Sequence, residues 1–339
     1  FSLTSPLSIG EAYLMTRPKR IDLPFCMYHV ICRTNSGDNA FKDARDRNKF
    51  FHYLAKYADL FEYRIHAFCL MGNHFHLLLE STERPAISEM MRRLLTAYTI
   101  YYNRRHNRRG HLFQGRFKSL IVDKADYLLA VSRYIHLNPA DMQKPRNPWK
   151  FPGSSLRYYI NGGEPEFLHT GETLSWFSGD RNKYRRFIEE GLEQDIRLQI
   201  HQQRYIGGEN FIRRTNKRLK MASKNGSQSS AARKIFEKRI EDRDRREAGK
   251  LLEKVAEYFE IDPETIRLAR HAHGKIGRAR LILIGLLREN IPWTSRRIGE
   301  FVGINKPIYG YMKKIKTDKE LTKIFNKLKD DKKSRQGRV

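Results

Sequence analysis

Cysteine is scarce in this chain and forms no pattern. Only three are present in 339 residues, Cys26, Cys32 and Cys69, and no two make a Cys-x-x-Cys pair. That excludes a disulfide scaffold and a cysteine-based zinc knuckle; all three sit in apolar, strand-like sequence and read as buried, reduced thiols of a cytoplasmic protein. Long apolar runs are missing too. The longest, residues 281–287, falls far short of the roughly 20 residues a bilayer-spanning helix needs. The first residues lack the basic-then-apolar order of a signal peptide, and there is no amphipathic anchor or lipidation signal, so no membrane partner is expected. A Walker-type phosphate loop is absent, and no ATP-driven reaction is expected. Acidic residues are in deficit: 38 Asp plus Glu against 66 Lys plus Arg leave a net charge of +28. The excess runs along the whole length, and a polyanion is the partner it implies. Hydrophobic residues at 40% and aromatics at 12% supply real cores, and the length suits two or three domains.

What is present centres on Met71-Gly72-Asn73-His74-Phe75-His76-Leu77-Leu78-Leu79-Glu80. On a strand, residues i and i+2 share a face, so His74 and His76 would project together, about 6–7 Å apart, with Phe75 turned away. Two neutral imidazoles on one rigid face can hold a divalent metal, although a half-solvated sheet face carries histidines as well. Further on, Leu128, Leu129, Val131, Ile135 and Leu137 have helical spacing, and Pro139 marks the helix end. Tyr134 and Asn138 are then i and i+4, neighbours on one face. An amide oxygen as third ligand and a phenol as attacker would complete a metal-assisted nucleophilic site.

The two stretches together, in the order His-hydrophobic-His strand, basic helix, strand, and helix with Tyr-Ile-x-x-Asn-Pro, resemble the REP-associated tyrosine transposases. These are relatives of the small single-tyrosine HUH transposases of bacterial insertion sequences. Further matching segments are Arg17-Pro18-Lys19-Arg20 ahead of Tyr28-His29-Val30, Gly110-His111-Leu112-Phe113-Gln114-Gly115-Arg116-Phe117-Lys118, and Ser154-Ser155-Leu156-Arg157-Tyr158-Tyr159. The resemblance implies a single-stranded DNA endonuclease and strand transferase acting at hairpin DNA. One Mg²⁺ or Mn²⁺ would sit on His74, His76 and Asn138, and Tyr134 would form a 5′-phosphotyrosine adduct. It also implies that the arm of Arg17, Lys19 and Arg20 contacts DNA beside the hairpin. A rolling-circle replication nuclease and a DNA-binding regulator with an inactive or domesticated nuclease domain are the alternatives.

The pattern predicts α+β architecture: a ferredoxin-like βαββαβ HUH nuclease domain followed by a small all-α helix-turn-helix domain. Strands are expected over residues 25–33, 63–70, 74–80 and 117–122, helices over 46–58 and 85–102, and the Tyr134 helix over the sheet. The basic loop with Arg104, Arg105, Arg108 and Arg109, leading into Arg116 and Lys118, has the guanidinium density that suits phosphates. His111 and Gln114 could serve the active site or cap that loop. The boundaries read as 1–14 unassigned extension, 15–145 HUH domain, 146–203 helical appendage packed by its aromatics, 204–246 basic linker, 247–316 helix-turn-helix domain and 317–339 basic tail.

In that C-terminal part, Ile298, Phe301 and Val302 fall on a short helix, Gly303 marks a turn, and a basic helix starts at Lys306. It is similar to the DNA-binding domain of the bacterial replication initiator, which implies duplex DNA as a second partner through Arg296, Arg297, Lys306, Lys313 and Lys314. Asn305-Lys306-Pro307 departs from the initiator's base-reading residues, so its target sequence does not carry over. The expected protein is a monomer or homodimer, cytoplasmic and nucleoid-associated.

Overall fold

A computed structural model of the chain describes residues 22–83, 85–140, 147–193, 198–224, 228–269, 273–304, 308 and 311–330. Arg17, Lys19, Arg20 and Lys306 lie outside the described residues, as does the side chain of Lys313. By internal contacts the chain divides into two compact units. One comprises residues 1–33, 61–91 and 115–228, the other residues 34–60, 92–114 and 229–339.

The first unit holds the sheet. Strands β1 (Met27–Arg33), β2 (Tyr63–Leu70), β3 (His74–Ser81) and β4 (Lys118–Val122) lie in the order β2-β3-β1-β4, with every one of these pairings antiparallel. Helix α1 (Ala44–Leu60) separates β1 from β2 along the chain and α2 (Ile87–Arg105) separates β3 from β4, which makes this the expected βαββαβ topology. The central strands are buried on both faces: β1 is closed off from Met27 to Val30 and β3 from Phe75 to Leu79. Their sequence therefore reads as nearly continuous apolar residues, with histidines as the exceptions.

Helix α3 (Lys124–Leu137) follows β4 directly. Its Leu128, Val131 and Ile135 pack with Met27, Ala67, Leu78, Leu120 and Val122 of the sheet, each side chain contributing about 1.5–3 kcal/mol by leaving water. Three short helices, α4 (Leu156–Asn161), α5 (Gly171–Ser175) and α6 (Arg181–Glu190), come next. Their core joins Leu137 of α3 to Leu156, Tyr159, Leu174, Tyr184 and Ile188. Most aromatics of this stretch do pack, but Trp176 stays 58% exposed. A fifth strand, β5 (Tyr205–Ile206), runs parallel to β4 at the sheet edge. Two residues carry no periodicity, so nothing in the sequence marked it.

The stretch 204–246, expected as a basic linker, carries helices on both sides of residues 225–227, which lie outside the described residues. After β5 come α7 (Glu209–Lys224) and the first half of α8 (Gln228–Phe259). The Arg, Lys and Glu residues that gave this stretch its charged look are also strong helix formers. Pairs such as Arg245 with Glu241, one turn apart at 3.2 Å, are of the kind that favours a charged helix.

The second unit contains α1, most of α2, and the C-terminal helices. After α8 come α9 (Pro263–Leu268), α10 (Gly274–Asn290), α11 (Ser295–Phe301), α12 (Tyr311–Thr317) and α13 (Lys319–Asp330). One apolar cluster between Ala248 and Leu328 binds them, built on Val255, Leu283, Leu287, Ile298 and Phe325. Gly303 takes a positive φ of 67° just after α11, where the sequence placed a turn. Within this unit Lys56 of α1 is buried against Asp244 and Glu247 of α8, at 2.7 and 2.9 Å.

Candidate active site

Strand β3 delivers His74 and His76 to one side of the sheet, with ring centroids 5.1 Å apart and planes nearly perpendicular. Helix α3 brings Tyr134 over them. Its ring lies edge-on to His76 at 5.7 Å and to His29 of β1 at 5.8 Å. Asn138 caps α3 in helical conformation, which keeps it one turn from Tyr134, and its Nδ2 donates to the Tyr134 carbonyl at 2.8 Å. The Asn138 side chain is close enough to His74 to favour the charged form of its imidazole, against the larger effect of burial. The structure thus gathers all four sequence-derived residues in the first unit.

The position of α3 is fixed by a buried network at its far side. His136 uses both ring nitrogens, Nδ1 with the Tyr184 hydroxyl at 2.8 Å and Nε2 with the Ser155 hydroxyl at 2.7 Å. Ser132 shares the same Tyr184 hydroxyl at 2.8 Å. Because Ser132 and His136 sit one turn apart, they clamp the helical segment that carries Tyr134.

His29 is the residue that the sequence reading left without a role. It is 1% exposed on the central strand, its ring stacks on His76 at 5.2 Å, and its Nε2 lies 2.9 Å from His76 Nδ1. The available signal was a lone imidazole in an otherwise apolar strand. Burial pushes all three histidines toward the neutral form, His29 to about 3, His74 to about 4 with help from the Arg33 charge, and His76 well down with help from His29, His74 and Arg33. Neutral imidazole is the ligating form.

The donor set fits a divalent ion. His74 Nδ1 donates to Asn73 Oδ1 at 2.7 Å, which leaves the Nε2 lone pair unprotonated. Asn138 spends its NH₂ on the Tyr134 carbonyl and keeps Oδ1 as a donor atom. With His76 held through Nδ1, two imidazole nitrogens and an amide oxygen remain, a mixed set that first-row divalent ions accept.

Residues 23–138 match the family model described as "Transposase IS200 like". Over this third of the chain the sequence is similar to the IS200-like transposases. The match runs from just before β1 to Asn138 and so takes in His29, His74, His76, Tyr134 and Asn138. A solved structure of a REP-associated tyrosine transposase bound to a REP hairpin is similar at 15% identity, with a TM-score of 0.38, over 46% of this chain and 92% of that one. No curated protein matches the chain.

Elsewhere in the transposase domain, a β-bulge between Ile65 and Ala67 turns His66 toward Glu80, which its Nε2 reaches at 3.0 Å. His66, Glu80 and Glu172 are the one group of histidine and carboxylate side chains among the described residues with metal-ligand spacing. The cation between the two carboxylates is Lys124, whose Nζ lies 2.5 Å from each. We read this as a structural ion cluster. An internal ammonium already neutralises the charge that a metal would.

The basic residues of the transposase domain divide into two groups. Arg105 is paired with Asp43 and Asp46. Arg108 is paired with Asp38 at 2.6 Å and also donates to the His111 carbonyl, and Arg104 donates to the Arg288 carbonyl, with burial lowering its pKa to about 10. Arg109, Arg116 and Lys118 are exposed, as is His111. Beyond the domain, on α11, Arg297 pairs with Glu241 at 3.0 Å and lies over the Trp293 ring, while Arg296 pairs with Glu300 at 2.9 Å and stays 90% exposed. Lys314 of α12 is exposed. All three cysteines are buried and free, as expected, and no described helix is long and apolar enough to cross a membrane.

Proposed function

We propose that this transposase domain is a metal-dependent endonuclease and strand transferase for single-stranded DNA carrying a hairpin. What supports the reading is one observation: Tyr134 stands edge-on to His76 at 5.7 Å, beside the His74–His76 pair and one turn from Asn138. His74 and His76 through Nε2, and Asn138 through Oδ1, would hold one Mg²⁺ or Mn²⁺. That ion supplies charge neutralisation at the scissile phosphate.

Tyr134 Oη attacks phosphorus, the bond to the 3′-oxygen breaks, and the leaving oxygen takes a proton to become a free 3′-OH. The product is a 5′-phosphotyrosine, a phosphodiester still, so attack by a 3′-OH reverses the step without ATP. Arg17, Lys19, Arg20, Arg109, Arg116 and Lys118 are the residues proposed to contact DNA. Arg104, Arg105 and Arg108 position the loop through their internal partners. The C-terminal helices, through Arg296, Arg297, Lys306, Lys313 and Lys314, are proposed to bind duplex DNA.

The test is covalent trapping. Full-length protein incubated with Mn²⁺ and a labelled single strand bearing a palindromic hairpin should yield a protein–DNA adduct that survives SDS, with label retained only when it lies 3′ of the cut. A cleaved strand without an adduct would mean hydrolysis by water and would remove Tyr134 as nucleophile.

A further inference from the structure

We infer that His29 is a positioning residue for the metal site: its Nε2 accepts the Nδ1 proton of His76 and so keeps His76 Nε2 bare for the ion. The inference rests on the proposal that His74, His76 and Asn138 hold that ion.

Burying an imidazole in a central strand costs free energy unless its polar atoms are used. His29 stands on β1 opposite Leu78 of β3 and Leu120 of β4, where an aliphatic side chain would fit the surroundings. Among the described residues His29 Nδ1 has no hydrogen-bond partner, and the ring's hydrogen bond runs through Nε2 to His76 Nδ1 at 2.9 Å. Two neutral imidazoles share one proton across such a contact. If His29 donated it, His76 would carry its own proton on Nε2 and could not ligate there. Only the reverse arrangement, His76 Nδ1–H to His29 Nε2, frees Nε2. Ligating histidines are generally oriented in this way, through a hydrogen bond made by the other ring nitrogen.

The parallel with His74 is direct. Asn73 Oδ1 accepts from His74 Nδ1 at 2.7 Å, so each of the two histidines has its own acceptor on Nδ1, an amide oxygen for one and an imidazole for the other. His29 also faces the Tyr134 ring edge-on at 5.8 Å, which ties the proposed nucleophile to the same imidazole.

The experiment titrates Mn²⁺ into full-length wild type and the His29→Phe, His29→Gln and His76→Ala variants, with circular dichroism to confirm folding. Loss of an outer-sphere partner costs about 10–100-fold in metal affinity. His29→Phe should weaken Mn²⁺ binding by that amount. His29→Gln, which places an amide oxygen near the position of Nε2, should restore it to within a few-fold. A folded His29→Phe variant that binds Mn²⁺ as wild type does, or a folded Gln variant as weak as Phe, overturns the role. Should the Phe variant not fold, ring-nitrogen NMR of wild type loaded with Zn²⁺ decides, since the ion must sit on His76 Nε2 with the proton on Nδ1; the ion on Nδ1 overturns the inference. Wild type that binds no Mn²⁺, or His76→Ala that binds it equally well, defeats the parent proposal instead.

Discussion

Tyr134 and His76 meet edge to face, ring centroids 5.7 Å apart at an interplanar angle of 78°. Tyr127, two turns earlier on α3, packs beside the same apolar core as Tyr134. A seven-residue separation puts the two tyrosines on nearly the same face about 10 Å apart, so helix geometry alone does not choose between them. Tyr134→Phe removes one oxygen and should leave thermal stability almost unchanged while abolishing the SDS-resistant DNA adduct. Tyr127→Phe should keep the adduct, and the reverse pattern would transfer the role to Tyr127.

Replacing both His74 and His76 by alanine should cut hairpin-strand cleavage by roughly a thousandfold or more, since metal charge stabilisation amounts to several kcal/mol. Hairpin affinity, measured by fluorescence anisotropy, should stay within a few-fold, because most phosphate contacts lie elsewhere. EDTA should mimic the double variant on wild type. Undiminished cleavage in either case rules out the metal.

Glu80 predicts an acid-sensitive fold. Burial alone would raise its pKa, but hydrogen bonds from His66 and Lys124 and the Lys124 charge outweigh that and hold it at about 2. A carboxylate depressed in the folded state contributes stability that is present above its unfolded pKa, about 4.3, and is lost as pH falls toward 2. Thermal melts between pH 6 and pH 3 should show wild type losing Tm more steeply than Glu80→Gln. Parallel slopes would show that the cluster does not couple to folding.

Lys56 is 3% exposed and bonded to Asp244 and Glu247. Substituting alanine takes the shared ammonium away from both acids, Asp244 being nearly buried, and breaking such a pair costs on the order of 3–5 kcal/mol. Urea denaturation of Lys56→Ala should show that loss, whereas Lys56→Ala with Asp244→Asn and Glu247→Gln should recover part of it. No change in the single variant would mean that water or relaxation satisfies the acids.

Among the described residues, the apolar cluster between Ala248 and Leu328 is drawn from that span alone. A fragment of residues 247–330 should therefore give a cooperative thermal transition. If the duplex-binding proposal holds, its affinity for duplex DNA should fall linearly in a double-logarithmic plot against salt, as counterions are released from phosphates. A fragment that melts without cooperativity, or ignores duplex DNA at low salt, refutes the separate-module view.

Sequence alone determined the strands, the two intervening helices and the pairing of His74 with His76, because strand period and helix period are local properties of backbone geometry. Asn138 beside Tyr134 was legible for the same reason, one helical turn being fixed by hydrogen bonding. What only tertiary structure decided was contact across strands and between distant segments. The place of His29 against His76 depends on β1 pairing beside β3, a register that no single-strand pattern contains. Residues 209–224 and 228–246 read as part of a basic linker because of their charge, and they are helical because those same charged residues are good helix formers. Whether Arg104, Arg105 and Arg108 face DNA or their own carboxylates and carbonyls was likewise undecidable from a basic run, since the partners Asp38, Asp43, Asp46 and Arg288 are far away in the chain and near only after folding.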